Sequence, residues 1–85
     1  MTYRILFTRR AKKDYERLPE STRPRILAAL DDVARAPFDE GKPLKGELKG
    51  CFSCRMGSYR ILYEIRTKQI VVLVLTIAHR KDVYR

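Results

Sequence analysis

The sequence is short of metal-ligating side chains, with two cysteines and one histidine, His79. A structural zinc site takes four ligands, so these three residues cannot complete one among themselves. No apolar run approaches the roughly 20 residues that span a bilayer. The opening MTYRILFTRR lacks the apolar stretch and small-residue cleavage site of a secretory signal. A cytoplasmic protein with no membrane association is therefore expected. Repeats, low-complexity tracts and long linkers are absent too, so residues 1–85 are expected to form one small domain.

Acidic residues are the most telling shortage: ten Asp and Glu stand against nineteen Lys and Arg, a net charge of +9. The imbalance is concentrated. Residues 1–41 carry nine basic and seven acidic side chains, whereas residues 42–85 carry ten basic and three acidic. A small domain with one strongly basic half points to a polyanionic partner, most often a nucleic acid.

Periodicity supplies the architecture. TYRILF (2–7) alternates as a strand with Tyr3, Ile5 and Phe7 on one face. Thr8 can cap a helix through 9–18, with Ala11, Tyr15 and Leu18 on its apolar side and a charged, solvated remainder that includes Asp14. Pro19 ends this helix. Ser21 is the expected N-cap of a second, with Pro24 in its first turn and an apolar stripe of Ile26, Leu27, Leu30, Val33 and Ala34 ending at Pro37. Residues 38–50 read as a loop. Strands are expected at 51–56, 59–66 and 69–78, joined by turns at Gly57-Ser58 and Thr67-Lys68. The last is apolar on both faces, as an interior strand is. The fold class is α+β: β-α-α-β-β-β, a helical hairpin on one face of a small, largely antiparallel sheet, with the other face open.

Cys51 and Cys54 have C-x-x-C spacing, which can mark a redox dithiol or half a zinc site. In a strand, however, residues i and i+3 face oppositely, so the pair reads as structural. The basic residues carry more chemistry. Lys42, Lys45 and Lys49 lie in the loop, Arg55 and Arg60 flank the Gly57-Ser58 turn, and Arg80 and Lys81 follow the last strand. Should 55 and 60 pair across the turn, two guanidinium groups approach one surface, where a phosphate could be gripped. His79 can move a proton near neutral pH and Tyr84 can stack on a base.

The segments KPLKGELKG, RMGSYRILY (55–63) and AHRKDVY (78–84), with FTRRAKKDYERLPE (7–20) before them, resemble the RelE family of toxin–antitoxin toxins within the RelE/ParE superfamily. The resemblance covers nearly the whole chain. It implies a ribosome-dependent endoribonuclease that cuts mRNA in the A site without metal or cofactor, by attack of the 2′-hydroxyl on the adjacent phosphate. Such a reaction needs a base, cations on the phosphorane and an acid for the leaving oxygen.

Carried over by motif, Arg60 matches the phosphate-stabilising arginine, Arg80 an arginine of charge stabilisation or acid catalysis, and Tyr84 a tyrosine that stacks on or orients the target base. Arg55 matches the second of two alternating basic residues. The first, a lysine proposed as general base in one branch, is Ser53 here, and serine has no useful basicity at pH 7. His79 is the expected replacement and Glu47 a second candidate, although His79 and Arg80 can both serve only if the strand ends or bulges between them. Lys42, Lys45, Lys49 and Lys81 are expected to meet RNA or ribosome. The partner implied is a RelB-like antitoxin that wraps the basic site. Two other functions compete: a ParE-like inhibitor of DNA gyrase, and a degenerate toxin that only binds antitoxin or RNA.

Overall fold

The first strand, β1, runs over Arg4–Phe7 in a computed structural model that describes residues 2–83. Tyr3, Ile5 and Phe7 turn inward while Arg4 and Leu6 are exposed, as the alternation predicts. Thr8 caps α1 (Arg9–Glu16): its hydroxyl accepts from the Ala11 amide at 3.1 Å and donates to the Leu75 carbonyl at 3.0 Å. The second helix, α2 (Arg23–Arg35), starts from Thr22 rather than Ser21, with Pro24 in its first turn. Ile26, Leu30, Val33 and Ala34 are buried, but Leu27, at the edge of the stripe, is 46% exposed. Pro37 ends this helix and opens a one-turn helix, α3 (Pro37–Glu40), because proline suits a first helical position as well as it breaks an interior one.

The segment 38–50 is more ordered than a loop. Lys42–Pro43 forms a short edge strand, β2, and Gly46–Leu48 a single 3-10 turn. Proline is tolerated in β2 because an edge strand leaves one row of amides without a ladder partner. The strands β3 (Cys51–Met56), β4 (Tyr59–Arg66) and β5 (Val71–His79) follow, and α4 (Arg80–Val83) closes the described chain. Gly57 opens the two-residue turn between β3 and β4 at φ 59°, a conformation that glycine adopts without strain. The sheet order is β1-β5-β4-β3-β2, antiparallel except for the parallel β1–β5 pair. The α+β expectation holds, with one more strand at the β3 edge.

The core lies between the helices and one face of the sheet, around Ala11, Ile26, Leu30, Val33, Ile61, Tyr63, Val72 and Val74. A bulge interrupts the β4–β5 ladder. Leu62 pairs with Thr76 and Tyr63 with Val74, leaving Leu75 as the extra residue. The inward phase of β5 therefore shifts from Val72 and Val74 to Ile77, and all three are buried.

Asp14 fastens α1 beside this irregularity. Its carboxylate accepts the Ile77 amide at 3.1 Å and pairs with Arg10 at 3.3 Å. The expectation of a solvated Asp14 is thus corrected: its exposure is only 9%, because the β1–β5 ladder stops at Phe7 and Val74 and the buried Ile77 amide beyond it takes the carboxylate as its acceptor. Asp14→Ala should orphan that buried amide and lower stability by about 1–3 kcal/mol. The exposed Asp31→Ala should change it by no more than about 0.5 kcal/mol. Urea titration of both variants checks this, and equal midpoints would refute the anchoring role.

Candidate active site on the open face of the sheet

Residues directly opposite in an antiparallel ladder share a face, and alternate residues along a strand share it too. Two rows of open-face side chains follow from the register. One runs Lys42, Ser53, Leu62, Thr76 across β2, β3, β4 and β5. The next runs Arg55, Arg60, Ala78 across β3, β4 and β5. Arg55 and Arg60 are thus direct cross-strand partners, as the turn at Gly57-Ser58 predicts.

Like charges placed directly opposite oppose folding, and an anion seated between them relieves that cost. The small side chains Ser53, Thr76 and Ala78 leave room above the sheet beside the two guanidinium groups.

Strand β5 ends at His79 and the chain turns into α4, with the Arg80 amide donating to the Ser58 carbonyl at 2.6 Å. That bond ties the start of α4 to the β3–β4 turn. Arg80 consequently joins Arg55 and Arg60 around a cleft of about 310 Å³, whose other lining residues are Gly57, Ser58 and Tyr59. A neighbouring cleft of about 430 Å³ shares Arg55 and Arg60 and adds Glu40, Lys42, Pro43, Leu44 and Ser53. The arrangement can grip a phosphate from more than one side.

The structure does not bring every expected residue here. Strand β5 ends at His79, the condition under which His79 and Arg80 could both serve, but the imidazole lies on the helix side of the sheet. His79 stands opposite Tyr59 in the ladder, its ring edge-on to the Tyr59 ring with centroids 5.2 Å apart. Its Nδ1 accepts the Lys81 amide at 3.2 Å, and it shares a separate cleft with Arg10, Asp14 and Arg17. Glu47 sits exposed in the 3-10 turn, lining neither arginine cleft, as do Lys45 and Lys49 on either side of it. Lys81 is exposed in α4. Tyr84 lies outside the described residues.

Glu40, which the sequence did not single out, lines the second cleft from the end of α3, and Lys42, expected to meet RNA, stands opposite Ser53. No signal in the sequence marks that pairing, since β2 is two residues long and contains a proline.

Cys51 and Cys54 are free thiols on opposite faces of β3, Cys54 buried and Cys51 half-buried. Burial raises both above the usual thiol range. The Glu64 carboxylate adds to this at Cys51, and Glu40 and Asp32 add to it at Cys54. A reactive thiolate needs the opposite environment.

Comparison with known proteins agrees with this architecture. The sequence model of the family described as "ParE toxin of type II toxin-antitoxin system, parDE" matches residues 5–84. Toxin RelG of Mycobacterium tuberculosis is 44% identical over 90 residues, covering all of this chain and 99% of that protein. The mRNA interferase toxin RelE of Escherichia coli is 28% identical over 83 residues, covering 95% of this chain and 86% of that one. Among solved structures, the toxin–antitoxin complex RelBE2 of Mycobacterium tuberculosis contains a chain that superposes with a TM-score of 0.79 at 42% identity, covering 94% of this chain and all of that one. The isolated Escherichia coli RelE toxin superposes with a TM-score of 0.80 at 27% identity, covering 96% of this chain and 90% of that one. With its arginine-lined open face and these relatives, the chain belongs to the RelE family of type II toxin–antitoxin toxins, within the RelE/ParE superfamily.

Proposed function

We propose that this toxin is a ribosome-dependent endoribonuclease that cuts mRNA in the A site. The observation that carries the reading is the meeting of Arg55, Arg60 and Arg80 around one cleft on the open face. In the reaction, the 2′-oxygen bonds to phosphorus and loses its proton, while the 5′-oxygen leaves and gains one. The products are a 2′,3′-cyclic phosphate and a free 5′-hydroxyl. The phosphorane between them carries extra negative charge, and preorganised cations stabilise it without reorganisation at the moment of reaction.

Arg55 and Arg60 face the non-bridging oxygens in this reading, and Arg80 stabilises the leaving oxygen. Tyr84 orients the target base. Lys45, Lys49 and Lys81 meet ribosomal or message phosphates outside the cleft. His79 and Glu47 serve as base only with movement of the backbone that carries them.

The partner in the resting state is a RelB-like antitoxin. RelBE complexes among the structural relatives support this, and so does the basic half of the chain, which an acidic or partly disordered segment can cover. Ribosome action implies the cytoplasm, and among the described residues no helix is long and apolar enough to cross a membrane.

Toeprinting on translating ribosomes with purified protein tests the activity. A-site cuts that need the ribosome are expected. Their absence, with ribosome binding intact, would sink the proposal. The match to a ParE family model favours one other reading, a toxin that inhibits DNA gyrase by binding. A supercoiling assay separates the two: gyrase inhibition without mRNA cutting would replace the nuclease.

A further inference from the structure

We infer that Lys42, from the edge strand β2, brings its ammonium to the scissile phosphate across Ser53 as a further cation beside Arg55 and Arg60, and that it is a catalytic residue. The inference rests on the nuclease reading above. Lys42 and Ser53 are cross-strand partners, so both side chains leave the sheet on its open face. Serine is short, and the space above it falls within the cleft that Lys42, Arg55 and Arg60 line together. Arg55, two residues along β3 from Ser53, is the diagonal neighbour of Lys42. Diagonal neighbours lie about 7–8 Å apart, within reach of a four-carbon side chain. An exposed lysine rooted on β2 can thus lay its ammonium beside the same phosphate that the paired arginines hold.

This gives β2 a role that its length conceals. A two-residue strand adds little to the stability of the sheet, but its pairing fixes where the Lys42 backbone lies. Lys45 and Lys49, rooted further along the same segment, line neither cleft. The cation set at the phosphate is therefore Lys42, Arg55, Arg60 and Arg80. The ammonium is delivered from the strand next to the one that carries Ser53.

Single-turnover cutting on programmed ribosomes, at saturating ribosome concentration, tests the assignment with four proteins. Lys42→Ala should cut about 10²-fold more slowly than wild type. Lys42→Arg should keep most of the rate, because the role is that of a cation. The double variant Lys42→Ala/Ser53→Lys should recover most of what Lys42→Ala loses, since it returns an amine to the same face from the neighbouring strand. Thermal melts of all four check that each is folded. Wild-type cutting by Lys42→Ala overturns the inference while leaving the nuclease reading in place. So does a loss that Ser53→Lys fails to repair. A wild-type protein that does not cut overturns both.

Discussion

Arg60→Ala should abolish growth arrest on expression and reduce A-site cutting by about 10²–10³-fold, the scale seen when one preorganised charge-stabilising donor is removed. Arg80→Ala should do the same, for a different geometric reason. Arg60 reaches the cleft from the middle of a ladder row, fixed by its pairing with Arg55 and Ala78. Arg80 reaches it from the first turn of α4, fixed by the backbone bond to Ser58. Loss of Arg60 should act mainly on the cutting step, and binding to the ribosome should persist through the remaining basic surface. The measurement is single-turnover cutting beside ribosome co-sedimentation, with a melt to show that each variant is folded. If both variants remain fully toxic, the arginine cleft is not the site.

Gly41→Ala should destabilise the domain by about 1–3 kcal/mol through overpacking, a fall in melting temperature of about 4–8 °C for each kcal/mol in a domain of this size. Gly41 sits against the buried hydroxyl end of Tyr63. A methyl group there would overlap the Tyr63 hydroxyl oxygen and come within 3.0 Å of Cζ and 3.1 Å of the Ser53 carbonyl oxygen. Tyr63 has no room to retreat. Its ring is fully buried and stacked on Phe52 with centroids 5.8 Å apart, and its hydroxyl donates to the Pro37 carbonyl at 2.6 Å. Burial, with help from nearby Cys54 and Glu40, raises this hydroxyl well above the usual phenol range, so it remains a donor at all ordinary pH.

A double-mutant cycle with Tyr63→Phe isolates the contact. With the hydroxyl removed, the further loss from Gly41→Ala should shrink, giving a coupling of about 0.5–3 kcal/mol. Strict additivity would show that the strain lies elsewhere. Because Gly41 leads directly into β2, the single variant should also slow cutting by displacing Lys42 from its place opposite Ser53.

Features with a local cause were legible in the sequence. Alternation located the strands, Thr8 declared its cap, and the two residues between β3 and β4 were enough to pair Arg55 with Arg60. The last strand, expected over 69–78, runs instead over Val71–His79, and Arg80 follows it directly. Features decided by non-local partners were hidden. Asp14 looks like one more charge on an amphipathic helix until β5, running on past the end of its pairing with β1, presents it with a buried amide. The strand β2 carries no periodicity in two residues and becomes a strand only through Ser53 and Phe52. His79 looked close to the chemistry because it adjoins Arg80 in sequence, yet neighbours along a strand end point to different sides of the sheet. For the same reason Lys42, eleven positions before Ser53, stands closer to the arginines than linear distance suggests.

The parallel pairing of β1 with β5 also sets an order of assembly. The β3–β4 hairpin closes through a two-residue turn, so Arg55 and Arg60 can meet early in folding. The first strand, in contrast, must find partners 67 positions away, as the Thr8–Leu75 bond measures. Closing so long a loop costs entropy before any contact repays it, and such topologies fold slowly for their size. Arg80 follows directly on β5 and is pinned to the hairpin only when that strand has docked. A chain caught midway through folding therefore displays two of its clustered arginines without the third, and the cleft is complete only when the sheet is.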